Sequence, residues 1–185
     1  MTLHQTLILP GWQNSGPQHW QSQWERKHGY QRVRQHDWHR PLRGDWITRL
    51  EDVVLSLPAK QPVLLVAHSL GCHLVAAWAA ISQNAHRVKG ALLVAPPDVS
   101  REDLPPELHS WRRAVLAPLP FAATCVMSSN DPFSGIEAGL GLASAWGARG
   151  VEIGARGHVN GESGLGDWPQ GQQLLAELRQ PVQTN

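Results

Sequence analysis

The sequence predicts an α/β protein: a three-layer, doubly wound parallel sheet of about six strands, forming a single domain over residues 1–185. Three observations lead there. Short, branched apolar runs recur along the chain, and longer stretches with helical spacing separate them. Two of the runs, Val63-Leu64-Leu65-Val66 and Ala91-Leu92-Leu93-Val94, are apolar throughout. Strands without alternation are those of a parallel sheet covered by helices on both faces.

Taken in order, the strands fall at residues 6–9, 30–34, 62–67, 88–95, 124–128 and 150–153, and the helices at 20–27, 45–57, 72–82, 135–146 and 168–178. The first strand stops at Pro10-Gly11, a turn signal. Asp45 and Asp167 each stand just before a helical stretch and are read as its N-cap. Residues 96–120 break the pattern. Pro96, Pro97, Pro105, Pro106, Pro118 and Pro120 interrupt any long helix. The segment is expected to leave the fourth strand, cross the carboxyl edge of the sheet and roof a cleft. Leu104, Leu108 and Trp111 are expected to form a short helix facing that cleft.

Composition narrows the function. The chain has 185 residues, 42% hydrophobic and 17% charged, which excludes disorder as a description of the whole. A net charge of +1 leaves no electrostatic footprint for nucleic acid or an anionic membrane. The longest uncharged apolar stretch, residues 74–81, is far too short to span a bilayer. Residues 1–10 lack the basic start of a secretory leader, and Cys72 and Cys125 read as free, buried thiols. A cytoplasmic location is the expectation. His36-Asp37-Trp38-His39 resembles a metal cluster only superficially, since no matching ligands follow, so neither a metal nor another cofactor is expected.

The chemistry is carried by Ala67-His68-Ser69-Leu70-Gly71, which joins the third strand to the third helix. This is a nucleophile elbow, usually G-x-S-x-G, with alanine in the first position. The serine of such an elbow occupies a strained turn, and its neighbours two residues away must be small enough for strand and helix to approach. Ser69 then projects at a helix N-terminus, where free N–H groups favour developing negative charge. The partners should follow in the order acid, then histidine. Asp131, just past the fifth strand in Ser129-Asn130-Asp131-Pro132-Phe133, is the candidate acid, with helix capping as its alternative role. Asp98, Asp103 and Asp167 are its rivals. His158, after the sixth strand in Gly154-Ala155-Arg156-Gly157-His158, is the candidate base. His68 and His73 flank Ser69, but neither is placed to reach its hydroxyl.

A strand order 2-1-3-4-5-6 makes the first and third strands neighbours, and ligands bind beyond the carboxyl ends at such a switch point. The loop Leu9-Pro10-Gly11-Trp12 therefore meets the elbow. Backbone N–H groups of Leu70 and Trp12 are the expected oxyanion donors; Pro10 has none to give.

These segments, together with Ser15-Gly16-Pro17-Gln18-His19-Trp20-Gln21, Gly157-His158-Val159-Asn160 and Gly164-Leu165-Gly166-Asp167-Trp168-Pro169, resemble the small α/β-hydrolases related to retinoblastoma-binding protein nine and bacterial YdeN. The resemblance covers nearly the whole chain. It implies a compact serine hydrolase whose triad falls on Ser69, Asp131 and His158, and leaves the substrate open. Ala67 is its departure from the general elbow. The triad chemistry itself leads to the expectation of a small-molecule carboxylic ester-like bond, with a thioester or amide as alternatives. A rival reading is a hydrolase-like module that binds a protein through exposed aromatics, since the chain holds nine tryptophans.

Overall fold

The computed structural model describes residues 4–179. Six parallel strands form one sheet in the order β2-β1-β3-β4-β5-β6: β1 (Gln5–Leu9), β2 (Gln31–Arg32), β3 (Val63–His68), β4 (Val88–Val94), β5 (Ala122–Met127) and β6 (Arg149–Glu152). The strand order is the expected one. The helices are α1 (Trp20–His28), α2 (Arg43–Ser56), α3 (Leu70–Ala79), α4 (Ile136–Ala145) and α5 (Pro169–Glu177).

Alternation along the strands divides the core between two layers. Leu7, Leu9, Leu65, Ala67, Ala91 and Leu93 pack with Trp46, Leu50 and Val54 of α2 and with α3. Ile8, Leu64, Val66, Leu92 and Val94 face the other way, onto Trp20 and Trp24 of α1 and Leu174 and Leu175 of α5. Both faces of the central strands are therefore apolar because both are covered.

Several local expectations are corrected. The second strand is two residues long rather than five, because an edge strand pairs on one side only; Val33 N–H to the Ile8 carbonyl continues the contact. Neither Asp45 nor Asp167 caps a helix. Leu42 is the N-cap of α2, with Asp45 in its first turn, and Trp168 precedes α5 with a φ of 43°. The Asp167 carboxylate is instead paired with Lys27.

The proline-rich excursion does cross the sheet edge. Asp98 N–H meets the Phe133 carbonyl beyond β5, and Trp111 Nε1–H donates to the Pro41 carbonyl, before α2. Its turn of 3₁₀ helix, Pro106–Trp111, turns inward: Leu104, Leu108 and Trp111 are buried in the core rather than facing a cleft. Burying those three side chains stabilises more than leaving them against water. Cys72 and Cys125 are free and buried, and burial pushes the Cys125 thiol up to about 12. No helix among the described residues is long and apolar enough to cross a membrane.

Candidate active site

Ser69 sits between β3 and α3 with φ 53° and ψ −125°, a conformation that L residues adopt rarely. Three contacts hold it there. Its N–H donates to the Val94 carbonyl at 2.9 Å, anchoring the elbow to the end of β4. A Cβ on Gly71 would lie 2.3 Å from the Leu9 carbonyl oxygen, so glycine lets α3 start directly against β1. A Cβ on Gly11 would lie 2.7 Å from Ser69 Cβ, so the loop after β1 passes directly against Ser69. Ala67, by contrast, is fully buried with its methyl in the core, which is why alanine serves where glycine is usual.

Ser69 Oγ lies 2.9 Å from His158 Nε2. His158 Nδ1 lies 2.9 and 3.0 Å from the two carboxylate oxygens of Asp131. The Asp131 side chain is only 2% exposed and that of His158 11%, so this line of groups is shielded from water. Asp131 Oδ1 also accepts the Phe133 N–H at 2.9 Å, which fixes the carboxylate to its own turn. The rival carboxylates are engaged elsewhere: Asp98 with Ser100, Asp103 with Arg101, Asp167 with Lys27.

Leu70 opens α3, so its N–H has no acceptor earlier in the helix. The indole of Trp12 is anchored away through Nε1–H to the His39 carbonyl. Gln13 and Asn14 N–H groups donate to the Trp38 and Gly11 carbonyls. The backbone at Trp12 is thus pinned from both sides, close to the elbow.

The loop carrying His158 is clamped, and most of the clamp escaped the sequence reading. Ser128 Oγ accepts the Arg156 N–H and Asn130 Oδ1 accepts the Gly157 N–H, at 2.9 and 2.7 Å. From the other side, His68 Nε2–H donates to the His158 carbonyl at 2.8 Å, and Trp20 Nε1–H to the Val159 carbonyl at 2.7 Å. Val159 has a φ of 51°, unusual for a branched residue, and the clamp holds it there. His68 thus touches the main chain of His158 rather than the Ser69 hydroxyl. Burial lowers its pKa far below the usual histidine range and keeps it neutral. His19 packs on His68 at 4.6 Å, accepts Gln21 N–H at Nδ1, and is lowered to about 3 by burial and then by Arg32. The positions of Asn130 and His68, each next to a candidate residue, were the only sequence signal for these roles.

Gln21 ties the first loop to the sheet: fully buried, its Nε2 donates to the carbonyls of Leu9 and Val66 while Oε1 accepts from Ser15. His36 and His39 lie in the loop beside Trp12. Among the described residues no three His, Cys, Asp or Glu side chains converge as a metal site.

Beside His158 opens a cleft of about 550 Å³, bounded by Pro132 and Phe133 of the loop after β5 and by residues 155–158, Asn160, Glu162 and Ser163. No residue of the excursion 96–120 lines it, so the expected roof is not found over this opening. A hydroxyl bonded to an imidazole that a carboxylate backs from behind is an arrangement suited to nucleophilic attack with general-base help.

The fold is shared with known hydrolases. The chain is similar to a YdeN-like hydrolase from Pectobacterium atrosepticum, with 30% identity, a TM-score of 0.82, and 94% of this chain and 89% of that one covered. It also resembles the ydeN gene product of B. subtilis (21% identity, TM-score 0.72, 95% and 98% covered). The carboxylesterase CesB from Bacillus subtilis shares the fold at 14% identity, with a TM-score of 0.62 and 97% and 85% covered. No curated protein matches the sequence. The sequence profile of the serine hydrolase family matches residues 6–177. With that match over nearly the whole length, an α/β-hydrolase fold and a YdeN-like relative at 30% identity, the chain belongs to the serine hydrolase family as a small YdeN-like member.

Proposed function

We propose that the protein hydrolyses a carboxylic ester-like bond in a small molecule by acyl transfer to water, with Ser69 as nucleophile, His158 as base and Asp131 as acid. The observation that carries this reading is the hydrogen-bonded line from Ser69 Oγ through both nitrogens of His158 to Asp131. His158 Nε2 takes the Ser69 proton as Oγ attacks the carbonyl carbon. Asp131 keeps the proton of the neutral imidazole on Nδ1 and stabilises the imidazolium that forms. Backbone N–H groups of Leu70 and Trp12 receive the oxyanion, a contribution of about 3 kcal/mol for each donor. His158 then gives its proton to the leaving oxygen, and the acyl group stays on Ser69. Water, deprotonated by His158, releases the acid and restores the serine.

The binding-module reading rested on tryptophan. Trp20, Trp24, Trp46, Trp78, Trp111 and Trp146 are fully buried and fill the layers, so they are not available as an exposed recognition face. The direct test is labelling with a fluorophosphonate probe. Wild-type protein should be modified at Ser69, and folded Ser69→Ala should not be modified at all. Labelling of another residue, or none on folded wild-type protein, would overturn the assignment.

A further inference from the structure

We propose that the cleft beside His158 is a leaving-group site, and that Phe133 within it selects esters of ring-bearing, overall uncharged alcohols. This rests on the acyl-transfer reading above, because that reading fixes which half of the substrate lies here. His158 must pass its proton to the leaving oxygen, so the alcohol half lies on the His158 side of Ser69. The cleft adjoins the imidazole that would deliver this proton: His158 forms part of its wall, whereas the elbow and the Trp12 loop do not.

Its size and lining define the occupant. About 550 Å³ falls in the range of small-molecule sites and far exceeds the need of methanol or ethanol. Phe133 is 50% exposed, and its ring stands edge-on to the His158 imidazole with centroids 4.6 Å apart. Of the large hydrophobic side chains left most exposed, Phe133 is the one that lines this cleft. A ring entering beside it gains both apolar burial and an aromatic contact. Arg156 and Glu162 also line the cleft, and among the described residues neither forms an ion pair. One charge of each sign favours a neutral or dipolar alcohol over one with a strong net charge.

Phe133 is also a rigid platform. Its N–H donates to Asp131 Oδ1 and its carbonyl accepts from Asp98 N–H, both at 2.9 Å. Both bonds are made by the main chain, so Phe133→Ala removes the ring and keeps the turn that positions Asp131.

The test compares 2-phenylethyl acetate with ethyl acetate, which share an acyl group and have alcohols of similar acidity. Wild-type kcat/KM should favour the phenylethyl ester by about 10- to 100-fold, the gain expected for burying a phenyl ring. Phe133→Ala should lower that ratio about tenfold, Phe133→Leu should lower it less, and Phe133→Tyr should retain it. A wild-type ratio near one, or a ratio unmoved in folded Phe133→Ala and Phe133→Leu, would overturn the proposal. So would a change in preference between ethyl acetate and ethyl hexanoate with the alcohol ratio intact, since the cleft would then hold the acyl chain. Fluorophosphonate labelling of the same samples separates the two levels. Labelling at Ser69 with no alcohol selectivity refutes the leaving-group site alone, whereas absence of labelling refutes the acyl-transfer reading beneath it.

Discussion

Asp131→Asn is the most informative single perturbation, because the structure shows what the amide must do. Both carboxylate oxygens face His158 Nδ1, at 2.9 and 3.0 Å, and Oδ1 also accepts the Phe133 N–H. An Asn side chain that keeps its oxygen toward Phe133 N–H turns its NH₂ toward Nδ1. Nδ1 must then become an acceptor, and the ring proton moves to Nε2, opposite Ser69 Oγ. A protonated Nε2 cannot take the serine proton. The reverse orientation sets the NH₂ against the Phe133 N–H, donor against donor, so the bond that fixes the side chain to its own turn is lost. Neither orientation restores the negative charge that stabilises imidazolium. The comparable exchange in serine proteases lowers turnover about 10⁴-fold, or about 5.5 kcal/mol of barrier. Steady-state ester hydrolysis, with circular dichroism to verify folding, measures it, and Asp98→Asn, Asp103→Asn and Asp167→Asn should each cost far less. Near-normal turnover in folded Asp131→Asn, with collapse in one of the other three, would refute the reasoning and place the acid elsewhere.

Two further outcomes concern stability. Burial lowers His19 to about 3 and His73 to about 4, against an unfolded value of about 6.5, so below pH 6.5 the unfolded chain takes up protons that the fold refuses. Stability is complete above that pH and falls as pH drops towards 4 and 3, by about 2 kcal/mol for each of these groups at pH 5. The melting temperature should fall between pH 7 and pH 5, and the fall should be shallower in His73→Gln, which can still donate to the Pro97 carbonyl; equal slopes would show that His73 does not titrate on unfolding. Gly71→Ala should lower stability by about 3 kcal/mol or more in urea titration, because its methyl would meet the Leu9 main chain rather than a movable side chain. A midpoint within error of wild type would mean that β1 and α3 can separate without loss.

What the sequence disclosed and what it withheld follow from how local each signal is. Val63-Leu64-Leu65-Val66 declares a doubly covered strand by itself, and Ala67-His68-Ser69-Leu70-Gly71 carries its turn geometry within five residues. Asp131 and His158 could be named as candidates because chain order and strand ends restrict where a carboxylate and an imidazole can stand beside Ser69. The inward turn of Leu108 and Trp111 was not, since a proline-rich run shows where a helix stops but not which surface its apolar residues meet. His68 was set aside for its distance from the hydroxyl. Its actual partner, the His158 carbonyl, is 90 positions away, and no local pattern announces so distant a main-chain acceptor. Gln21 reaches across the ends of two strands in the same way.

The clamp around His158 also bears on biosynthesis. Its donors and acceptors come from residues 20, 68, 128 and 130, and they close on residues 156–159, so the longest of these contacts spans 139 positions. A ribosome exposes the serine and its elbow early, while the imidazole that would activate it has not yet been translated. Until β6 adds to the sheet edge and the following loop locks onto Trp20, the emerging chain holds a hydroxyl with no partner and no more reactivity than any other serine. Under the proposed mechanism, the competence of Ser69 therefore waits on closure of this clamp rather than on synthesis of the serine.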